Sequence, residues 1–439
     1  MSLPRPIWRP SPAPLLLACL VAVSALASIP ALQDAATHQP FPPATLHQPF
    51  GYLLGAPLFG LFDGVSLLAL RQHYALVLTL IVLYAAHRLA AARASRRRAR
   101  SAAPGTPRPS LPRLAAREVL RAAAALAALL GFYAAAALIP RPMTAVRLAD
   151  PDLLAVDFHS HTNHSHDGWS RFTAARNRAW HEAGGFGAAY ITDHYTWAGV
   201  DDALPANPER AGERTVLLSG MEVRLRNRHT NILGDRDRYL FALDGTWHHL
   251  DPDSIAAARG RGAAPATMLY TIPGELDRIV PLAPGFPAGV VGVELSDGAP
   301  RGLEQARGER GEILALADSM DLAVVAGANL HGWGRTVPAW SVMRVPGWQG
   351  MAPSRLGDAV EAVLHAQRRR AVTVVERRMP YHDDSVVKLA ATVPWLLWEH
   401  FRMLSMAERM SWLVWIATGV AVRAAIRRRA PRTPQRTAP

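Results

Sequence analysis

Histidines and carboxylates crowd one stretch of this chain, Val156 to Ser170, which reads Val-Asp-Phe-His-Ser-His-Thr-Asn-His-Ser-His-Asp-Gly-Trp-Ser. Asp157, His159 and His161 alternate, and a short apolar run from Leu153 to Val156 leads into them. Alternate residues of a strand share a face, so this run predicts a buried strand with both imidazoles aimed the same way. Two imidazoles on one face at a strand end make a pair of metal ligands. Asp167 and Gly168 follow in a polar turn, from which a carboxylate can swing back to the same point. A lone His-x-His is more often a polar loop with satisfied histidines, but here matching pieces recur downstream. They are Ile191-Thr192-Asp193-His194, Ser219-Gly220-Met221-Glu222-Val223, His229-Thr230-Asn231-Ile232-Leu233-Gly234 and Ala328-Asn329-Leu330-His331-Gly332-Trp333-Gly334-Arg335.

The chemistry these residue types suit is metal-assisted hydrolysis. Zinc, manganese and iron accept imidazole and carboxylate ligands. A carboxylate such as Glu222 can bridge two ions, and ions about 3.5–4 Å apart activate water and stabilise both the attacking and the leaving oxygen. Asp157 and Asp193 stand beside His159 and His194 in sequence and are expected to orient their rings. Arg335 offers a guanidinium fork for a substrate phosphate, or else a structural salt bridge. His164 and His166 read as surface or supporting groups, and His248 and His249 as a solvated pair. Trp333 and Trp340 shape a pocket lid or pack. No serine or cysteine nucleophile motif is present. The single cysteine, Cys19, lies in an apolar run, which excludes a disulfide framework and a cysteine-based zinc site.

The elements that must position these groups alternate from Asp150 to about Arg377. Short apolar strand candidates are Leu153–Phe158, Ala188–Thr192, Val216–Leu218, Thr267–Ile272, Gly289–Leu295, Leu322–Gly327 and Ala371–Val375. Helical patterns fall between them at Thr173–Ala183, Leu303–Met320 and Arg355–Ala366. Alternating strands and helices argue an α/β domain with a parallel sheet or barrel. The candidate ligands fall just past strand ends, where barrels gather their chemistry.

Together the Asp-x-His-x-His…Asp-Gly opening, the Thr-Asp-His after a strand and the Gly-x-Glu resemble the PHP (polymerase and histidinol phosphatase) domain. That resemblance covers roughly Leu153 to Val375 and implies a distorted (β/α)7 TIM-like barrel acting as a metal-dependent phosphoesterase. The His-Thr-Asn-Ile-Leu-Gly and Asn-x-His-Gly-Trp stretches look closer to a branch that includes carbaryl-hydrolase-type enzymes. Carried over residue by residue, one metal takes His159, His161 and the bridging Glu222. Another takes Asp167, His194 and His331, and a further position takes Glu222 and His229. The family usually has Asp at the position of Asn329, and often a His where this chain has Ile272 before Pro273-Gly274. These departures lead us to expect one or two tightly held ions.

The 439 residues carry a net charge of +13 and are 50% hydrophobic, with a sequence pI of about 10.8. Arginines cluster at Arg93–Arg100 and Arg423–Arg432 beside apolar runs, while acids and bases roughly balance across the α/β region. The basic excess therefore reads as membrane flanks rather than a nucleic-acid surface. The spans expected are about 15–32, 68–87 and 120–139, with a cytoplasmic arginine-rich loop at 88–118. Gly51–Leu70 is apolar but broken, and either lies at the interface or re-enters. From 379 onward, Ser411–Ile426 forms a fourth span or an amphipathic helix on the membrane, followed by a basic cytoplasmic tail. The positive-inside rule then places 150–378 outside a bacterial inner membrane. The function this predicts is a multi-pass membrane hydrolase acting through metal-bound hydroxide on a small-molecule or lipid phosphoester. An amide- or carbamate-cleaving variant and a non-catalytic metal- or ligand-binding sensor are the alternatives.

Overall fold

The computed structural model describes residues 12–100, 110–225, 228–236, 239, 266–272, 276–280, 289–380 and 385–429. Twelve strands are found among them: β1 Leu32–Asp34, β2 Ala44–His47, β3 Ala145–Leu148, β4 Leu153–Ser160, β5 Ala188–Ile191, β6 Val216–Leu225, β7 Arg228–Leu233, β8 Thr267–Tyr270, β9 Val290–Asp297, β10 Ala323–Gly327, β11 Ala339–Arg344 and β12 Thr373–Arg377. Ten of them form one sheet in the order β1-β12-β11-β4-β5-β6-β7-β8-β9-β10, and β2 pairs with β3 separately. The helices used below are α1 Ala13–Val23, α2 Phe50–Leu54, α3 Ala56–Ser66, α4 Leu70–Arg100, α5 Leu111–Leu138, α6 Ala174–Gly184, α7 Ala198–Ala203, α8 Pro300–Gly308, α9 Arg310–Ser319, α10 Pro353–Gln367, α11 Thr392–Met403 and α12 Met406–Arg429.

The sheet curls into a half-barrel. At one rim its far edge returns to β4: Asn329 N donates to His159 O at 2.8 Å and His161 N to Leu330 O at 3.0 Å. Strand β4 explains why the curl is stable. Leu154, Val156 and Phe158 point one way into the main apolar core, while Ala155, Asp157 and His159 point the other, and all six are buried. Parallel strands buried on both faces read as near-continuous apolar runs, which is how β4, β5 and β9 look.

Two departures from the expected alternation matter. Strands β6, β7 and β8 pair antiparallel, so β6 and β7 form a hairpin in place of a strand-helix-strand unit. Strand β11 inserts antiparallel between β4 and β12. The helical pattern Leu303–Met320 is two helices, α8 and α9, broken at Glu309. Trp340 lies in β11, fully buried, with its indole N–H on Gly184 O at 2.9 Å, so it packs rather than forming a lid.

Among the described residues, three helical stretches are long and apolar enough to cross a membrane, Leu70–Arg97, Leu111–Leu138 and Met406–Ile426. The first two overlap the expected spans at 68–87 and 120–139, and both continue as helix into the expected loop at 88–118. The third starts before the expected Ser411, because Glu408 and Arg409 are satisfied at its beginning: Glu408 accepts from Ser405 N at 2.8 Å, and Arg409 donates to Val21 O at 3.0 Å. The expected span 15–32 is not one helix. The apolar helical run ends at Ala27, and Arg402 Nε donates to Ala27 O at 2.8 Å. Arginines thus take the carbonyls that a helix end leaves unpaired, and the chain turns into β1. Gly51–Leu70 resolves into α2 and α3, and α3 packs against α5 and α12.

Candidate metal centre

The centre is built on strand ends at the rim where the sheet edges meet. Strand β4 supplies His159 and leads straight to His161, β5 leads to His194, and the middle of β6 supplies Glu222. The β6–β7 hairpin places His229 beside Glu222, and the loop after β10 brings His331. Close approach is needed at Gly327: a Cβ there would stand 1.9 Å from Glu294 Oε1 and 2.5 Å from His159 Cβ. Asn329 has φ +43° and Tyr195 φ +53°. Asn tolerates that left-handed region better than most residues, and such strain gathers at functional turns.

Glu222 is the hub. Its Oε2 lies 3.0 Å from His159 Nε2, 3.4 Å from His161 Nε2 and 3.4 Å from His194 Nδ1, and its Oε1 lies 2.6 Å from His229 Nδ1. The second side of the centre is Asp167, whose Oδ2 is 3.4 Å from His194 Nε2 and 3.1 Å from His331 Nε2. The His161 and His331 rings stack at 4.1 Å between centroids. All the predicted histidine, aspartate and glutamate ligands are therefore gathered in one cluster.

Two buried groups were not foreseen as part of it. Glu294, on β9, lies 3.2 Å from His159 Nδ1, and Asp297 ends the same strand. His159, Glu294 and Asp297 form a set of donor atoms spaced as a metal ligand set. A glutamate inside the apolar run Val291-Gly292-Val293-Glu294-Leu295 was the available signal, since a carboxylate in a buried strand needs a partner. His166 joins Asp167 and His194 in a further set, with its ring 4.8 Å from that of His194. His164 instead pairs with Asp202 at 2.7 Å, away from the centre.

The orienting roles expected of Asp157 and Asp193 are corrected. Asp157 Oδ2 lies 2.7 Å from His181 Nε2 on α6, and its Oδ1 accepts from His159 N and Ala328 N, at 3.1 and 2.9 Å. It ties the backbones of β4 and of the His331 loop together without touching the His159 ring. Asp193 accepts from Thr162 N and Thr162 Oγ1, both at 2.6 Å, and so holds the loop that carries Asp167. Asn329 Nδ2 donates to Asp297 Oδ2 at 2.8 Å, which engages its amide with a carboxylate. Arg335 makes no ion pair among the described residues; burial and the nearby Arg141 and Arg176 lower its pKa. Trp333 is half exposed and stacks on Trp169 at 5.1 Å. Ile272 is buried in the core and offers no ligand; Pro273, Gly274, His248 and His249 lie outside the described residues.

The donor set fits a divalent ion. His159 Nε2 and His161 Nε2 face each other at 3.1 Å. His331 Nε2 is close to Asp167 yet buried without a hydrogen-bond partner, as is His161 Nδ1. His331 Nε2 and Asp167 Oδ2, this close without hydrogen-bonding geometry, aim at a shared point rather than at each other. Electrostatics shift the groups in opposite directions: burial lowers His159, but Glu294 and Glu222 outweigh it and hold its pKa well above the usual range. Burial raises the Glu222 carboxyl, but His159 and His229 outweigh it and hold its pKa well below the usual range. Burial, then the neighbouring His331 and His159, keep His161 neutral, as a ligand must be. Burial likewise lowers His194. Burial pushes Glu294 up to about 7 against the pull of His159, and it raises Asp297. So many buried carboxylates and imidazoles with opposed shifts mark a functional site.

No family model matches the chain, and no curated protein matches it in sequence. Among solved structures, PsfC from Pseudomonas syringae is similar over 58% of this chain and 100% of its own, at 12% identity and a TM-score of 0.37. A two-domain protein from Bacteroides vulgatus, described as containing a PHP-like metal-dependent phosphoesterase, covers 54% of this chain and 69% of its own, at 14% identity and a TM-score of 0.34. A lesion-specific endonuclease from Pyrococcus furiosus covers 50% and 57%, at 12% identity and a TM-score of 0.34. Likenesses at these scores establish no shared family. What fold and site define is an α/β protein whose curled sheet gathers a cluster able to hold divalent ions.

Proposed function

We propose that the chain is a membrane-anchored, metal-dependent hydrolase of the PHP type acting on phosphoesters. The observation that carries this is the convergence of His159, His161, His194 and His229 on the single carboxylate of Glu222, with Asp167 and His331 completing the far side. A divalent ion bound there supplies Lewis acidity and a lowered pKa for water. Glu222 spans the set and holds the donors in register, while Asp157 and Asp193 fix the loops that present His159, Asp167 and His331. Arg335, without a carboxylate partner among the described residues and four residues beyond His331, suits a substrate phosphate oxygen. Glu294 beside His159 is placed to hold a proton. We propose one or two tightly held ions, since Ile272 adds no donor on the His229 side.

Orientation follows from where the basic ends point. The foot of α4 meets the sheet domain through Arg71 and Glu304, 3.1 Å apart, and the end of α5 meets it through Gly334 N on Ala137 O at 2.9 Å. The arginines of Arg93–Arg97, Arg113 and Arg117 lie at the opposite end, as does Arg423 on α12. With basic ends in the cytoplasm, the metal domain faces the periplasm or exterior. The test is hydrolysis by the purified full chain against panels of phosphomonoesters, phosphodiesters, amides and carbamates with added manganese or zinc. Turnover of phosphoesters supports the proposal. Turnover of amides or carbamates alone would replace it, and no turnover with metal bound would favour a sensor.

A further inference from the structure

A second site lies where the long helices meet the sheet domain, and none of the metal-centre ligands lines it. An apolar cavity of about 310 Å³ opens between α3, α4, α5 and α11, lined by Leu61, Val65, Leu76, Leu80, Leu129 and Leu397 among others. Its size falls in the range of small-molecule pockets, roughly 300–1,000 Å³. Leu61, Leu80 and Leu397 on its wall are also exposed outward, so the cavity communicates with the surface that a bilayer would cover.

A cleft of about 780 Å³ adjoins it and shares Arg377, Arg378 and Met379. The cleft is basic: Arg307, Arg310, Arg377, Arg378 and Arg402 outnumber Glu376 and Glu399. Three of these arginines are already matched, Arg310 by Glu376 at 2.7 Å, Arg402 by Glu399 at 2.6 Å and Arg377 by Asp63 at 3.0 Å. Arg378 Nε is shielded from solvent and has no hydrogen-bond partner, and His400 Nε2 in the cavity wall is in the same condition. Buried polar atoms without partners are rare in native structures and mark where an absent group belongs.

We propose that an anionic membrane lipid binds here, its acyl chain in the apolar cavity and its headgroup in the basic cleft against Arg378. Apolar length joined end to end with excess positive charge matches an amphiphile with a phosphate headgroup and excludes a purely neutral one. The site is a binding site in its own right and does not depend on the hydrolase reading.

Native mass spectrometry of the full chain in detergent tests this, using phosphatidylglycerol, phosphatidylcholine and inorganic phosphate as probes. The wild type should retain phosphatidylglycerol about fivefold better than phosphatidylcholine. Arg378→Gln should erase that preference. Gly64→Trp should weaken retention of both lipids, because Gly64 lines the cavity and an added Cβ there meets nothing within 4 Å. Should the tryptophan variant fail to fold, Arg378→Gln decides alone, since its Nε gives up no internal hydrogen bond. Equal retention of both lipids by the wild type, or a preference surviving Arg378→Gln, would overturn the proposal. So would phosphate alone binding as well as the lipid, which would make the cleft an ion site.

Discussion

Glu222 makes more ion-pair contacts in the centre than any histidine does, so it is the residue whose loss should be felt most. Glu222→Gln is expected to remove bound metal and lower phosphoester hydrolysis by at least about a hundredfold while the domain stays folded, checked by elemental analysis and circular dichroism. Glu294→Gln tests the carboxylate that the motifs did not announce. It should lower metal affinity or activity by about 10–100-fold, the range for partners that orient metal ligands; unchanged values would place Glu294 outside the centre. The histidines and Glu222 were legible because each stands in or just past a strand within a short polar motif. Glu294 and Asp297 were not, because they sit in a strand whose apolar pattern dominates, and only the curl of the sheet brings β9 across to His159. A pH effect belongs to His400, which burial lowers to about 4. Its folded pKa lies below the unfolded value of about 6.5, so the stability it contributes is complete above that value and is lost as pH falls toward 4, up to about 3 kcal/mol. The apparent melting midpoint should therefore drop more steeply between about pH 7 and 5 in the wild type than in His400→Gln; parallel curves would remove His400 as the cause.

Among the elements, the β6–β7 hairpin and β11 show where reading a chain for alternating strands and helices stops working. His229 was legible as a ligand, but its strand was hidden inside what looked like a binding motif. Strand β11 was hidden because Pro338 and Pro346 bracket it like a loop. The junction between the long helices and the sheet was equally hidden, since its residues are far apart in sequence. Asp63 on α3 pairs with Arg141 at 3.1 Å and Arg377 at 3.0 Å, and it accepts from Thr336 Oγ1 at 2.8 Å. It joins the foot of the helices, the end of β12 and the loop that carries His331. Asp63→Asn leaves Arg141 buried without its charge partner, a change that costs about 3–5 kcal/mol when one member of a buried pair is removed. Thermal unfolding should show the loss. A variant as stable as the wild type would mean that water or lipid reaches this cluster. The apolar runs at 68–87 and 120–139 were legible from composition alone, whereas the shortening of the first helix was not, because Arg402 and Arg409 reach it from the other end of the chain.

At the scale of the whole molecule, the rim that carries the histidine and carboxylate cluster is tied to the end of α5, since the loop after β10 that holds His331 also contacts it through Gly334 and Ala137. The proposed topology puts this rim on the side away from the arginine-rich ends. A periplasm-active reporter fused after Asp297 should be active and one fused after Ser101 inactive; the opposite pattern would reverse the topology. The central claim is that the clustered histidines and carboxylates hold catalytic metal. Its most direct test measures divalent-metal content and phosphoester hydrolysis together, in the full chain as purified, after chelation and after metal is restored, with Glu222→Gln alongside. The account predicts that metal and activity are lost together on chelation, return together in the wild type, and are both absent from the variant. Hydrolysis that persists in metal-free protein, or a Glu222→Gln protein that keeps its metal and its rate, would contradict it.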